Sequence, residues 1–157
     1  QGALDLANAY ANRRVQFKVP ISQHQMVQQM LADMAMKTEA ARQLTYASAA
    51  AIDTVGPSPA NSKMAAMAKC FASDVAMEVA TDAVQVFGGY GFMEDYPIAK
   101  FFRDAKILQI YEGTNQIQRI VIARHLIRES NDLEHLQEFI PTEEQQNYHA
   151  PSTDAEG

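Results

Sequence analysis

The stretch Asn61–Gly89, NSKMAAMAKCFASDVAMEVATDAVQVFGG, decides the fold class. Met64, Ala68, Phe71, Val75, Val79, Ala83 and Val86 recur at steps of three and four, the spacing of one helix face, and Gly88-Gly89 supplies a C-terminal stop. The spacing predicts a long helix from Asn61 or Ser62. Upstream, Met26, Met30, Met34, Ala41, Leu44, Ala47 and Ala51 form a second long stripe, with Ser22 as cap, Gln25 completing a capping box, and Val55-Gly56-Pro57-Ser58-Pro59 as breaker. Before it, Leu4, Ala7, Tyr10 and Ala11 keep helical spacing, and the absence of Gly and Pro from Ala3 to Val19 predicts a helix broken before Pro20 that starts as if mid-helix.

Downstream, Asp95 as cap and Pro97 in the first turn open a helix through Ile98, Phe101, Phe102 and Ala105, fraying before Gln109. Thr114 is a good N-cap for a last helix whose stripe is Ile117, Ile120, Val121, Arg124 and Ile127. Strand signals are nearly absent. Alanine-rich faces allow close approach, so the fold class is all-α, an antiparallel helical bundle over residues 1–130. From Asn131 the chain turns polar; Leu133, Leu136, Phe139 and Ile140 offer a short helix, but the rest buries too little to stay ordered, and residues 131–157 are expected to form a mobile tail.

The chain has 157 residues, the size of one domain, and opens on Gln1 rather than methionine, as a piece of a larger protein would. A net charge of -6 without a basic patch excludes nucleic acid as a partner. No apolar run approaches the roughly 20 residues of a membrane span, and no leader precedes the domain, so a soluble protein is expected. Cys70, the only cysteine, reads as a small buried hydrophobe and fits a reducing compartment. His24, His125, His135 and His149 are scattered, without metal-ligand spacing, and no metal is expected. The methionine stripes read as core packing.

In Gln109–Arg119, QIYEGTNQIQR, one carboxylate stands between an apolar run and a helix start. One reading of Glu112 is an acid favoured by the positive end of the last helix, worth about 0.3–1 kcal/mol. The other is a base: Ile110 and Tyr111 give it apolar neighbours, and Gly113 lets a ligand reach the backbone. Desolvation by a bound apolar substrate then raises its pKa toward what carbon-proton abstraction requires.

Gln85-Val86-Phe87-Gly88-Gly89-Tyr90-Gly91-Phe92, Arg103-Asp104-Ala105-Lys106 and Ile110-Tyr111-Glu112-Gly113-Thr114-Asn115-Gln116-Ile117-Gln118-Arg119, in that order, resemble the acyl-CoA dehydrogenase family. The similarity runs from Gly2 to about Arg128 and covers the C-terminal helical domain of that family. It implies an FAD flavoprotein that converts an acyl-CoA thioester to the trans-2-enoyl product. Glu112 matches the catalytic base; its own N–H and a flavin hydroxyl would bind the thioester oxygen, which is oxyanion-hole logic. Gly113 matches a contact to the acyl-CoA, and Thr114, Asn115 and Gln116 match flavin contacts at a helix start.

Arg14 matches the pyrophosphate-contacting arginine. Phe17, Gln25, Gln85, Gly88 and Gly89 match further contacts to the adenylate half, which the family receives from a neighbouring chain. Lys18 stands where the family commonly has glycine. Without the family, Arg14 reads as a surface salt bridge, His24 as a solvated first-turn residue, and Gly88-Gly89 as a helix cap. Arg103-Asp104 is expected to serve packing or an interface.

The resemblance also implies upstream domains, a homo-oligomer built as a dimer of dimers, electron-transfer flavoprotein as acceptor, and a bacterial cytoplasmic or mitochondrial matrix location. A base at Glu112 points to the short-chain, medium-chain or glutaryl type, and the piece alone should bind flavin weakly. The alternatives are an acyl-CoA oxidase and a helical assembly module without chemistry of its own.

Overall fold

The computed structural model describes residues 1–130, Leu136 and residues 139–141. The elements are α1 (Gly2–Arg13), β1 (Val15–Gln16), β2 (Val19–Pro20), a 3-10 turn at Ile21–Gln23, α2 (Gln25–Val55), α3 (Pro59–Phe87), α4 (Gly89–Phe92), α5 (Pro97–Leu108) and α6 (Asn115–Glu129). The fold is the all-α bundle the periodicity predicts. Central α3 packs against α1, α2, α5 and α6. Small residues let these helices come close: Ala3, Ala7 and Ala11 of α1, Met34 and Ala41 of α2, Val75, Val79, Ala83, Val86 and Phe87 of α3, and Ile98 of α5 share one core. Met34 and Ile98 are its largest fully buried side chains, each worth roughly 1.5–3 kcal/mol of burial.

Helix ends depart from the sequence reading for local reasons. Helix α1 stops at Arg13, short of Pro20, because β-branched Val15 and Val19 pair with Pro20 and Gln16 in a small antiparallel hairpin. Ser22 lies in the 3-10 turn, and His24 rather than Ser22 stands at the N-cap of α2, with no side-chain capping bond. Helix α3 begins at Pro59: the Ser58 hydroxyl accepts the Asn61 N–H (3.1 Å) and Pro59 fills the first turn, so half of the breaker is a helix start. Tyr96, not Asp95, precedes α5 as its N-cap residue. Gly88 ends α3 at φ +62°, as its predicted stop requires, but Gly89 opens the short α4 that periodicity does not reveal.

Three of the stripes are only partly buried. Phe71 on α3 and Met26 on α2 are exposed, and so are Ile117, Ile120 and Ile127 on α6. Cys70 is buried, as read. Leu133 and most of the expected tail lie outside the described residues.

The hairpin turn is strained. Phe17 (φ +52°) and Lys18 (φ +72°) both occupy the left-handed region, as the two-residue turn that matches strand twist demands and Asn-Gly normally supplies. Each non-glycine residue there costs about 1–2 kcal/mol. Replacing Lys18 by Gly in the full-length protein is expected to stabilise it by up to about 1 kcal/mol, after the entropy glycine adds to the unfolded chain. Denaturant unfolding checks this; an unchanged midpoint would mean that contacts of Lys18 offset its strain.

Candidate functional site

The chain leaves α5 through Gln109 and bends at Glu112 (φ +52°) and Gly113 (φ +86°) into Thr114, whose hydroxyl caps α6 by accepting the Ile117 N–H (3.3 Å). Gly113 is glycine because of its φ; an added Cβ would also lie 2.8 Å from Gln118 Nε2 and push that side chain aside. Both carbonyls of the bend are held. Gln118 Nε2 donates to the Glu112 carbonyl at 3.1 Å, and Lys69 Nζ donates to the Gly113 carbonyl at 2.8 Å. The Glu112 and Gly113 N–H groups have no hydrogen-bond partner among the described residues. The Glu112 side chain is exposed, and Ile110 and Tyr111, each about half exposed, do not enclose it. The apolar surround read from the sequence is therefore not closed by the described residues alone.

Beneath the bend lies a polar cluster that no sequence pattern discloses. Asn115 is 2% exposed, and its Nδ2 donates to Ser73 Oγ (2.8 Å), Asp74 Oδ1 (2.7 Å) and the Cys70 carbonyl (3.3 Å). Its Oδ1 accepts from Lys69 Nζ (2.7 Å) and Ser73 Oγ (3.0 Å). Asp74 also accepts from Gln109 Nε2 (2.7 Å) and pairs with Arg119 (2.5 Å). Burial pushes the Asp74 carboxyl up, but hydrogen bonds from Arg119, Gln109 and Asn115 outweigh it and hold the carboxyl below its ordinary value. Asn115, picked out in the sequence as a cofactor contact, thus turns its side chain into the domain, while Gln116 beside it is exposed. Burial also raises the Cys70 thiol, in keeping with a residue that packs.

A second group gathers at the other end of α3. Arg14, Gln16, Phe87, Gly88, Gly89 and Tyr90 line one cavity of about 640 Å³. A Cβ built on Gly88 or Gly89 meets nothing within 4 Å, so open space borders that backbone. Arg14 makes no ion pair among the described residues; its guanidinium lies 5.1 Å from the centre of the Tyr90 ring, leaving its donors free. Gln85 is exposed and supplies the carbonyl that caps Gly88 (3.0 Å), Gln25 is exposed at the first position of α2, and Phe17 is 88% exposed. His24 is not solvated as read: its Nε2 is buried without a partner, with the Phe17 ring edge-on at 6.0 Å.

Arg14, Gly88 and Gly89 come together, and Glu112 through Gln116 come together, but the two groups do not meet. The 14 residues from Asp74 to Gly88 place them about 21 Å apart along α3. A larger hollow of about 700 Å³ between α2, α3 and α5 contains none of the predicted site residues. Arg103 pairs with Glu94 (3.7 Å) and Asp104 with Lys100, both at the surface. Among the described residues no cluster has the makings of a metal site, and no helix is long and apolar enough to cross a membrane.

Comparison with known proteins gives this geometry a class. The family "Acyl-CoA dehydrogenase, C-terminal domain" matches residues 1–127. The chain belongs to the acyl-CoA dehydrogenase family and corresponds to its C-terminal helical domain. It is 52% identical to the cyclohexane-1-carbonyl-CoA dehydrogenase of Geobacter metallireducens, over 83% of this chain and 33% of the relative. The butyryl-CoA dehydrogenase structure from Megasphaera elsdenii matches with a TM-score of 0.77 and 50% identity, over 80% of this chain and 32% of that one. A chain in a structure described as the electron transferring flavoprotein of Acidaminococcus fermentans matches with a TM-score of 0.77 and 57% identity, over 81% and 33%. The chain spans about a third of the length of the relatives it matches.

The lowered Asp74 pKa has a definite sign. Because the folded carboxyl titrates below its ordinary 3.8, its stabilising share is complete above that value and is lost as pH falls through the folded pKa. Acid unfolding of the native protein should therefore steepen below about pH 4, and Asp74→Asn should unfold with a flatter dependence there, read by circular dichroism against pH. Equal slopes would remove Asp74 as the titrating group.

Proposed function

We propose that the protein carrying this domain is an FAD-dependent acyl-CoA dehydrogenase, an oxidoreductase that takes a proton from the α carbon and a hydride from the β carbon of an acyl-CoA thioester. The observation that carries the reading is the Glu112–Gly113 bend: among the described residues both carbonyls are engaged, both N–H groups are free, and a carboxylate without a partner stands beside them. Glu112 accepts the α proton. Its N–H donates to the thioester carbonyl oxygen, where negative charge grows as that proton leaves. Substrate packed against Ile110 and Tyr111 excludes water from the carboxylate and raises its basicity.

The residues fit a flavin dinucleotide. Bound FAD supplies the hydride acceptor. Arg14, without an ion pair among the described residues, offers donors to a pyrophosphate; Gly88 and Gly89 open their backbone to the adenylate side, and exposed Phe17, Gln25 and Gln85 add contacts to the cofactor. The buried, unpartnered His24 Nε2 adds a polar atom in want of a partner. Thr114, Asn115 and Gln116 form the α6 N-terminus on the flavin side, with Asn115 acting through its backbone. Gly113 lies against the acyl-CoA. The distance between the two groups along α3 supports a cofactor shared between chains, the adenylate end of each taken from a neighbour.

Exposed Ile117, Ile120 and Ile127 support a homo-oligomer, a dimer of dimers, together with upstream domains covering α6. The likeness to the Acidaminococcus chain supports electron-transfer flavoprotein as acceptor. Bacterial relatives support a cytoplasmic location, with the mitochondrial matrix as its counterpart. The acyl group belongs to the acyl-CoA class; near-equal identity to a cyclohexane-carbonyl and a butyryl enzyme leaves linear and cyclic chains equally favoured.

The test is the flavin spectrum and turnover of the full-length protein with a panel of acyl-CoA thioesters. One thioester is expected to bleach the flavin, and Glu112→Gln is expected to keep the flavin while lowering turnover by about 10²–10⁴-fold, the usual contribution of a general base. Peroxide released in step with product would make the enzyme an oxidase. A colourless protein indifferent to added FAD would leave only a helical assembly role.

A further inference from the structure

We propose that Lys69 is a positioning residue for the base, locking the Glu112–Gly113 bend to the core through the Gly113 carbonyl. The proposal rests on Glu112 being the base. A glutamate at φ +52° is strained, and it persists only where its surroundings leave no alternative. Two side chains provide that restraint. Gln118 on α6 holds the Glu112 carbonyl at 3.1 Å, one turn from the bend itself. Lys69 is on α3, 44 residues away in sequence, and is the contact that refers the bend to the middle of the bundle.

Lys69 is fixed at both ends of its reach. Its half-buried ammonium donates to the Gly113 carbonyl at 2.8 Å and to Asn115 Oδ1 at 2.7 Å, bridging Thr114. Asn115 cannot turn away, because Ser73, Asp74 and the Cys70 carbonyl take its other hydrogen bonds within the core. With the Glu112 carbonyl held by Gln118 and the Gly113 carbonyl held by Lys69, the two peptides that follow Glu112 are tethered, and neither turns over without losing a hydrogen bond. The bend that carries the carboxylate is thereby tied to the core. Without Lys69 the Gly113 carbonyl loses a charge-assisted bond and the bend samples other φ/ψ pairs, so the base spends less time aligned. Misplacement by about 1 Å is enough to cost about 100-fold in rate.

The experiment compares Lys69→Met, Gln118→Leu and Glu112→Gln in the full-length, flavin-loaded protein with the acyl-CoA that bleaches it. Lys69→Met is expected to lower kcat about 10- to 100-fold while KM changes less than threefold, flavin content is unchanged, and the acid limb of the pH–rate profile keeps its midpoint. Lys69→Arg, which keeps a cationic donor, is expected to recover part of the loss. Should Lys69→Met fail to hold flavin, Gln118→Leu carries the same test from the outer side of the bend, with the same split between kcat and KM. A kcat within twofold of the parent in the readable variant, while Glu112→Gln abolishes turnover, overturns the positioning role and leaves the base reading standing. A shifted acid limb with an unchanged plateau also overturns it, since Lys69 would then act by its charge alone. Turnover that survives Glu112→Gln overturns the base reading, and the positioning role with it.

Discussion

The buried amide of Asn115 is the constraint on which the candidate site depends. It is the first residue of α6, and its side chain carries five hydrogen bonds to α3. Asp74, one of its partners, also takes Gln109 from the end of α5 and Arg119 from α6. One amide therefore fixes the exit of α5, the start of α6 and the loop between them relative to the central helix. A buried amide left without partners costs about 1–3 kcal/mol, so these elements are coupled: loosening one exposes the cost of all. The arrangement explains why the loop holds a strained conformation although Glu112 itself is exposed.

Helix α3 sets the larger geometry. Its middle holds the polar cluster, its end is the Gly88 turn beside Arg14, and its rise keeps these about 21 Å apart. The domain therefore carries two separate candidate half-sites. Among the described residues each has unsatisfied chemistry: free N–H groups and a lone carboxylate at one, a guanidinium without an anion and a buried imidazole nitrogen at the other. Exposed isoleucines on α6 and phenylalanines on α5 lie on the same molecule. Exposed apolar side chains gathered in this way are what protein–protein contacts bury.

The helices were legible because their faces are long and apolar at three- and four-residue steps, so α2 and α3 announce themselves over eight turns each. Their ends were less legible, since Pro59 reads equally as breaker and as first-turn residue until the Ser58 cap is seen. Phe17 and Lys18 look helix-compatible one at a time; only the pairing of Val15 with Pro20 and of Gln16 with Val19 makes a hairpin. Glu112, Arg14 and the two glycines were singled out through motifs as candidates. The Lys69–Asn115–Asp74 cluster was not, because Asn115 lies 41 to 46 residues from the other two and none of the three is unusual for its helix position. The burial of Asn115 was hidden for the same reason: a polar residue after an N-cap looks solvent-facing until the helix beneath it is in place.

Strain offers an independent line to the same sites. Among the described residues, the non-glycine residues with positive φ are Phe17, Lys18 and Glu112. Each lies in or beside a half-site reached by other reasoning, and the long helices contain none. A strained residue costs about 1–3 kcal/mol and survives where neighbouring contacts over-determine it. For Glu112 those contacts are Gln118 and Lys69. For the hairpin they are the ladder between Val15 and Pro20 and the Ile21 N–H bound to the Arg14 carbonyl (2.8 Å), which together aim Arg14 at the cavity. The helical core thus supplies the stability, and the loops spend part of it on holding a carboxylate and a guanidinium in orientations that an unstrained chain would abandon.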